Sequence, residues 1–281
     1  MPDIRFLLKV SRPRFWLYLF GPYIVGLAAG ATSRDDLISA NILAFGFYFL
    51  FPANLLIYGV NDIFDFATDK LNPKKQDYEA MVLPEHHRTM LIAIFVLNTP
   101  FIAAAAFLNL KSFVLMLGFL FFSIFYSAPP MRAKAKPLLD SMFNVLYIFP
   151  GLFGYALISN ALPPMSIIAA ASLWTMAMHA YSAVPDIDAD REAGVKTIAV
   201  LFGQRTTLII CLILYIASAA LTYPYLGIVS ITLGCVYTAM ILLSLVYKDR
   251  LGVFSIYKYF PILNAASGFI LFWFVALTKF I

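Results

Sequence analysis

The chain has 281 residues, 62% of them hydrophobic and only 12% charged, with a mean hydropathy of +0.84 and a net charge of +5. A water-soluble domain carries about 25% charged residues, so composition excludes a soluble globule and points to an integral membrane protein. The positive balance does not indicate nucleic acid, because the basic residues fall between apolar runs, where topology signals sit.

The apolar runs approach the ~20 residues needed to cross hydrocarbon, which favours helices over the alternating strands of a barrel. Residues Met1–Arg5 lack a signal-peptide cleavage pattern, so the first run reads as a retained helix. Nine spans are expected: Phe15–Ala31, Leu37–Val60, Thr89–Leu110, Ser112–Ala128, Leu139–Ser159, Met165–Val184, Thr206–Tyr223, Leu226–Tyr247 and Tyr259–Lys279. Two separations are slight: only Asn109–Lys111 divides the third span from the fourth, and Pro224 between the seventh and eighth could instead kink one helix. The two cysteines, Cys211 and Cys235, lie inside apolar stretches and read as packing residues, with no disulfide or thiolate metal site implied.

With these spans, 17 of the 20 basic residues fall on one side, leaving Arg34, Lys111 and Lys279 on the other. The positive-inside rule then places the N-terminus in the cytoplasm. Thirteen of the 15 acidic residues share that side, a bias that orientation does not require. Chemistry is therefore expected at the cytoplasmic face.

The second span ends in Asn61, Asp62, Asp65 and Asp69. The three carboxylates stand at i, i+3 and i+7, one face of a continuing helix. They meet the negative end of the macrodipole, where clustered Asp is disfavoured unless a cation compensates. The sixth span ends similarly, in Asp186 and Asp190 at i, i+4, with Asp188 directed elsewhere; Tyr58 and Tyr181 precede the two clusters alike. Two acidic helix ends can hold Mg²⁺, which dehydrates reluctantly and is usually shared with substrate phosphate. Neither cluster contains Cys or His, which argues against zinc. A third segment, Tyr126 to Lys136, has two prolines that stop the fourth helix and then Arg132, Lys134 and Lys136. These cations serve either as positive-inside anchors or as contacts to diphosphate oxygens, Arg being suited to bidentate binding. Lys74, Lys75 and Lys196 share the ambiguity.

These three motifs, in this order, resemble the UbiA superfamily of intramembrane prenyltransferases along nearly the whole chain. The family's N-D-x-x-D-x-x-x-D motif is matched by Asn61, Asp62, Asp65 and Asp69. Its second D-x-x-x-D motif is matched by Asp186 and Asp190, and its Y-S-x-P-P segment by Tyr126, Ser127, Pro129 and Pro130. The stretches Ser11–Tyr18 and Ser182–Asp190 look most like the lycopene elongase branch. The resemblance implies one UbiA-like domain over residues 1–281, an all-α bundle of nine transmembrane helices around a lipid-accessible cavity. It further implies Mg²⁺ as cofactor, held by Asp62, Asp65, Asp69, Asp186 and Asp190. Asn61, Lys74, Tyr126, Arg132, Lys134, Tyr181 and Lys196 would contact substrate. The donor would be an allylic diphosphate and the acceptor lycopene, or an aromatic in relatives of quinone synthesis.

Such an enzyme ionises the donor and must then keep water from the allylic cation, a task for a pocket inside the bilayer. Aromatic faces at Tyr58, Phe64, Phe66, Tyr126, Tyr147 and Tyr181 are candidates to stabilise that cation. His86 and His87 read as solvated residues and His179 as a satisfied bundle residue. Gly21, Gly26, Gly30, Gly151 and Gly154 read as sites of close helix packing. An ion-coupled transporter is the remote alternative. It would place carboxylates near mid-membrane, whereas here they gather at helix ends and in loops.

Overall fold

Proline, asparagine and glycine decide where the helices of this chain start and stop. A computed structural model describes residues 3–69 and 82–280, with backbone only for 67–69, and every regular element among them is helical. The described residues group into two compact units. The first holds the chain up to Met131, Phe149–Leu162 and the residues from Phe272 on; the second holds Arg132–Ile148 and Pro163–Leu271.

In the first unit, a short helix α1 (Ile4–Val10) leads through a 3₁₀ turn to α2 (Leu17–Gly30). The expected span Leu37–Val60 is two helices, α3 (Ala40–Leu50) and α4 (Pro52–Asp69), and the second runs nine residues beyond Val60. Pro52 has no N–H to continue α3 and its ring crowds the preceding turn. The Asn54 side chain repairs the break by donating to the carbonyls of Phe49 and Leu50 at 2.8 and 2.9 Å. Asn98, buried in α5 (His87–Ala106), donates to the Pro52 carbonyl at 3.2 Å. The slight separation at Asn109 is a real one: its side chain accepts from Ser112 N–H and caps α6 (Leu110–Ser127), which ends before Pro129 as expected.

The expected span Leu139–Ser159 is also broken. It becomes α7 (Leu139–Met142), a 3₁₀ turn over Phe143–Tyr147, and α8 (Phe149–Ser159), the last belonging to the first unit. There α8 packs on α2 through glycine. A Cβ on Gly154 would lie 2.6 Å from the Tyr23 carbonyl, and one on Gly26 would strike the Gly151 carbonyl. In lipid, where burial of apolar surface gives helices no reason to associate, such close backbone approach is what dispersion needs. Gly21, grouped with these in the sequence, has no atom within 4 Å of its would-be Cβ and takes no part.

The second unit contains α9 (Met165–Ala183), α10 (Ile187–Glu192), α11 (Ile198–Leu226), α12 (Ile228–Val246), α13 (Arg250–Tyr257) and most of α14 (Phe260–Phe280). α9 and α11 are joined by Ser218 Oγ donating to the Ala170 carbonyl at 2.9 Å. α11 begins eight residues before the expected Thr206, with a non-helical residue, Gly203, near its start. The break before α12 falls at Gly227, whose φ of 51° only glycine adopts readily, and Pro224 is absorbed in the last turn of α11.

Among the described residues, seven helical segments are long and apolar enough to cross a membrane: Ala40–Phe66, Pro84–Ala106, Leu110–Ser127, Leu139–Ser159, Ile198–Leu226, Ile228–Val246 and Arg250–Phe280. This is a multi-pass membrane protein. Two of the nine expected spans are outside that set. The 14 residues of α2 extend about 21 Å at 1.5 Å each, against ~30 Å of hydrocarbon. α9 is long enough but is diluted by Ser166, Ser172, Thr175, His179 and Ser182.

Candidate active site

The first acidic motif sits on the last turns of α4, which stays helical through Asp69 and so carries all three aspartates on one side of its backbone. Asp62 and Asp65 are buried, at 5% and 0% exposure. Burying a carboxylate is costly unless a cation or a set of hydrogen bonds compensates. For Asp62 the cation is Arg12, whose Nη2 lies 2.7 Å from Oδ1. A left-handed backbone at Arg12 (φ 53°) ends the N-terminal segment there, and the guanidinium lies over the Tyr58 ring at 4.7 Å. Asp65 is held by Asn61, which donates from Nδ2 to Oδ2 at 2.5 Å and to Ser127 Oγ at 3.1 Å. Asn61 therefore braces a carboxylate within the helix. The side chain of Asp69 and all of Lys74 lie outside the described residues. Tyr126, the penultimate residue of α6, is half-buried.

The second motif is built where α9 stops. Pro185 follows, Asp186 stands at the N-terminus of α10, and Asp190 lies one turn on. Gly194 (φ 69°) reverses the chain after α10, and Val195 N–H closes the turn on the Asp190 carbonyl at 2.8 Å. Thr197 is thereby returned to the cluster, where its hydroxyl donates to Asp190 Oδ2 at 3.3 Å. Burial first, and the Asp186 charge second, push the Asp190 carboxyl up to about 6; Thr197, His179 and Lys134 act in the opposite sense. Asp188 faces outward as expected, paired with Arg250 and with Arg191 at 3.6 Å.

Of the remaining expected residues, Arg132 is half-buried with a left-handed backbone (φ 42°), and Lys134 is near enough to act on Asp190. Lys196 is exposed. Tyr181 is fully buried, its hydroxyl 2.8 Å from Ser244 Oγ and its ring edge-on to Tyr257 and Phe260. The structure thus unites Asn61, Asp62 and Asp65 in one unit, and Lys134, Asp186 and Asp190 in the other. It also adds residues not singled out in the sequence. Arg12 reads there as one more basic residue at a helix end. Asp140, at 0% exposure, accepts from Ile198 N–H at 2.9 Å and lies 3.3 Å from His179 Nε2. A lone carboxylate opening an apolar run was the available signal for it.

Both clusters offer hard oxygen donors, the set that suits Mg²⁺. Among the described residues no three His, Cys, Asp or Glu side chains form a ready-made cage. The raised Asp190 carboxyl marks a negative site that a cation would relieve.

Residues 19–251 match the profile of the UbiA prenyltransferase family. The chain belongs to the UbiA prenyltransferase family. It is a prenyltransferase, and the transporter alternative falls. The chain is 39% identical to the lycopene elongase/hydratase of Haloferax volcanii, over 95% of its own length and 87% of the relative's. It is 36% identical to the lycopene elongase/hydratase of Halobacterium salinarum, over 95% of each chain. Two structures of a UbiA homologue from Archaeoglobus fulgidus share the fold. One is bound to GPP and Mg²⁺ (TM-score 0.66, 24% identity, 95% of this chain and 99% of that one) and one to DMAPP and Mg²⁺ (0.65, 23%, 95% and 98%).

Proposed function

We propose that this UbiA family member ionises dimethylallyl diphosphate and transfers the prenyl group to the end of lycopene, with Mg²⁺ as its cofactor. The observation that carries the acceptor is the near full-length similarity to two lycopene elongase/hydratases. The donor and the metal are supported by the ligands of the Archaeoglobus fulgidus homologue and by the oxygen-only character of both acidic clusters.

In this reading Asp62, Asp65, Asp69, Asp186 and Asp190 hold the metal. When bound, Mg²⁺ neutralises the diphosphate and makes it a competent leaving group. Asn61 keeps the Asp65 oxygens aimed, so that binding needs little rearrangement. Arg132, Lys134, Lys196 and Lys74 share the charge of the departing diphosphate and Tyr126 contacts the donor, while Tyr181, fully buried against Ser244, Tyr257 and Phe260, does not reach it. The allylic cation is protected from water by the apolar spans around it. The basic residues between spans support nine crossings, a cytoplasmic N-terminus and an active face toward the cytoplasm. Both units serve this one activity, as a single catalytic domain over residues 1–281.

The test offers dimethylallyl diphosphate and Mg²⁺ to the purified chain with lycopene and, separately, with 4-hydroxybenzoate, and follows the acceptor's mass. The expected outcome is a gain on lycopene of one or two five-carbon units. A gain on the aromatic alone would move the chain to the aromatic-acceptor relatives.

A further inference from the structure

α10 carries the second acidic motif, yet it is only six residues long. A helix that short is not stable on its own propensity, so the face it presents depends on what ties it down. Asp190 N–H bonds the Asp186 carbonyl at 2.8 Å, which puts the two carboxylates one turn apart on the same side. Asp188 lies roughly 200° round the helix from each of them.

That far side is held by another element of the same unit. Arg250, the first residue of α13, donates from Nη1 to Asp188 Oδ2, while Arg191 of α10 itself stands 3.6 Å from Oδ1. The Arg250 side chain is one-third exposed and its Nε is shielded from water, so the guanidinium is inserted against α10 and not splayed into solvent. α13 is braced in its turn. Asp249 caps it by accepting from Gly252 N–H at 2.8 Å, and Gln204 of α11 donates to the Tyr247 carbonyl, just before it, at 3.0 Å. Val253 is buried, and Tyr257 meets the Tyr181 ring edge-on at 5.4 Å. Three contacts then define the rotation of α10 about its axis: Ile187 in the core, Thr197 on Asp190, and Arg250 on Asp188.

We propose that Arg250 and Asp188 are positioning residues for the second acidic motif: their pair holds α10 in the rotation that aims Asp186 and Asp190 at the metal and diphosphate. The assignment rests on the prenyl-transfer reading above, in which those two carboxylates hold Mg²⁺. A pair this exposed adds little to global stability. Its effect falls on the order of one short helix, and the motif's affinity for a cation follows that order.

The experiment uses the full-length chain, Arg250→Gln, Asp188→Asn and the double variant, and measures two quantities. One is half-saturating Mg²⁺ for diphosphate release from dimethylallyl diphosphate; the other is hydrogen exchange of the α10 amides in the metal-free protein. Each single variant is expected to raise half-saturating Mg²⁺ about fivefold, the upper end for a partly exposed ion pair, and to keep its turnover at saturating Mg²⁺. Exchange over Ile187–Glu192 should quicken by a similar factor. The double variant should do no more than either single one, because the two side chains make one contact. Arg250→Lys, which keeps the charge, should recover part of the affinity. An unshifted Mg²⁺ requirement in both single variants would overturn the assignment, whether or not the melting temperature falls; additive shifts in the double variant would equally do so. Failure of the prenyl-transfer reading shows separately, as a wild-type chain that releases no diphosphate with Mg²⁺. In that case quickened α10 exchange in Arg250→Gln still upholds the positioning contact, and equal exchange refutes it.

Discussion

The two acidic motifs of this chain solve the same electrostatic problem differently. At the end of α4, Asp62 is neutralised by Arg12 at 2.7 Å and Asp65 is braced by Asn61 at 2.5 Å, so that rim is compensated by the protein itself. At the junction of α9 and α10, Asp190 has a hydroxyl at 3.3 Å and a like charge in Asp186, and its carboxyl is raised to about 6. One rim carries a cation within ion-pair distance; at the other, burial and the Asp186 charge outweigh Thr197, His179 and Lys134. The contrast shows that motif identity alone does not set a carboxylate's energy, because its neighbours do.

The comparison is broken outright if one rim is dispensable for catalysis. Asp62→Asn and Asp186→Asn are each expected to reduce Mg²⁺-dependent diphosphate release by about 10²–10³-fold, as lost stabilisation of a departing anion does. Steady-state release from dimethylallyl diphosphate checks this. Full turnover in either variant would remove that rim from the site.

Stability without metal sharpens the comparison further. Asp62→Asn removes the carboxylate paired with Arg12, only 12% exposed, and should destabilise the metal-free protein by about 3 kcal/mol, the range for breaking a buried pair. Asp190→Asn removes a charge that burial and Asp186 disfavour, and should raise the melting temperature of the metal-free protein. Thermal unfolding in detergent with a chelator compares the two. Shifts of the same sign would contradict the distinction between the rims.

Asn61→Ala probes the brace alone. Asp65 keeps its charge but loses its orienting amide, with an expected loss of about tenfold in turnover, the effect of one charge-assisted hydrogen bond. With Asp65 a metal ligand as proposed, higher Mg²⁺ should recover part of the activity. A variant insensitive to Mg²⁺ would assign Asn61 to Ser127 and the packing of α6.

What was legible in the sequence was local. Carboxylates at i, i+3 and i+7 are an arithmetic of one helix, so spacing alone is enough to put Asp62, Asp65 and Asp69 on one side of α4. The close approach of α2 and α8 was likewise visible in Gly26, Gly30, Gly151 and Gly154, although Gly21, grouped with them, has no atom within 4 Å of its would-be Cβ. Partnerships across long separations were not legible. Arg12 meets a carboxylate 50 positions away, and among many basic residues at helix ends nothing marks it. Asp140 and Ile198 are 58 positions apart, and their bond depends on a backbone N–H that no side-chain pattern encodes. Helix ends were misplaced for a related reason. Hydropathy records where apolar residues stop, whereas Pro52 and Gly227 end helices inside apolar runs by geometry.

The smallest expected effect is the pH dependence of the second rim. The folded-state value for Asp190, about 6, lies above the ordinary 3.8, so between these limits the folded protein binds more protons than the unfolded chain. Stability of the metal-free protein should therefore be greatest below pH 4 as far as this group is concerned, decline as pH rises toward 6, and level off above it. In the proposed site Mg²⁺ competes with the proton for the same oxygens and should flatten the slope. Asp190→Asn should abolish it, while Asp62→Asn leaves it in place. Melting temperatures across pH 4–7, with and without Mg²⁺, separate these cases. A slope that survives in Asp190→Asn would locate the titrating group elsewhere and end the claim that this rim is the strained one.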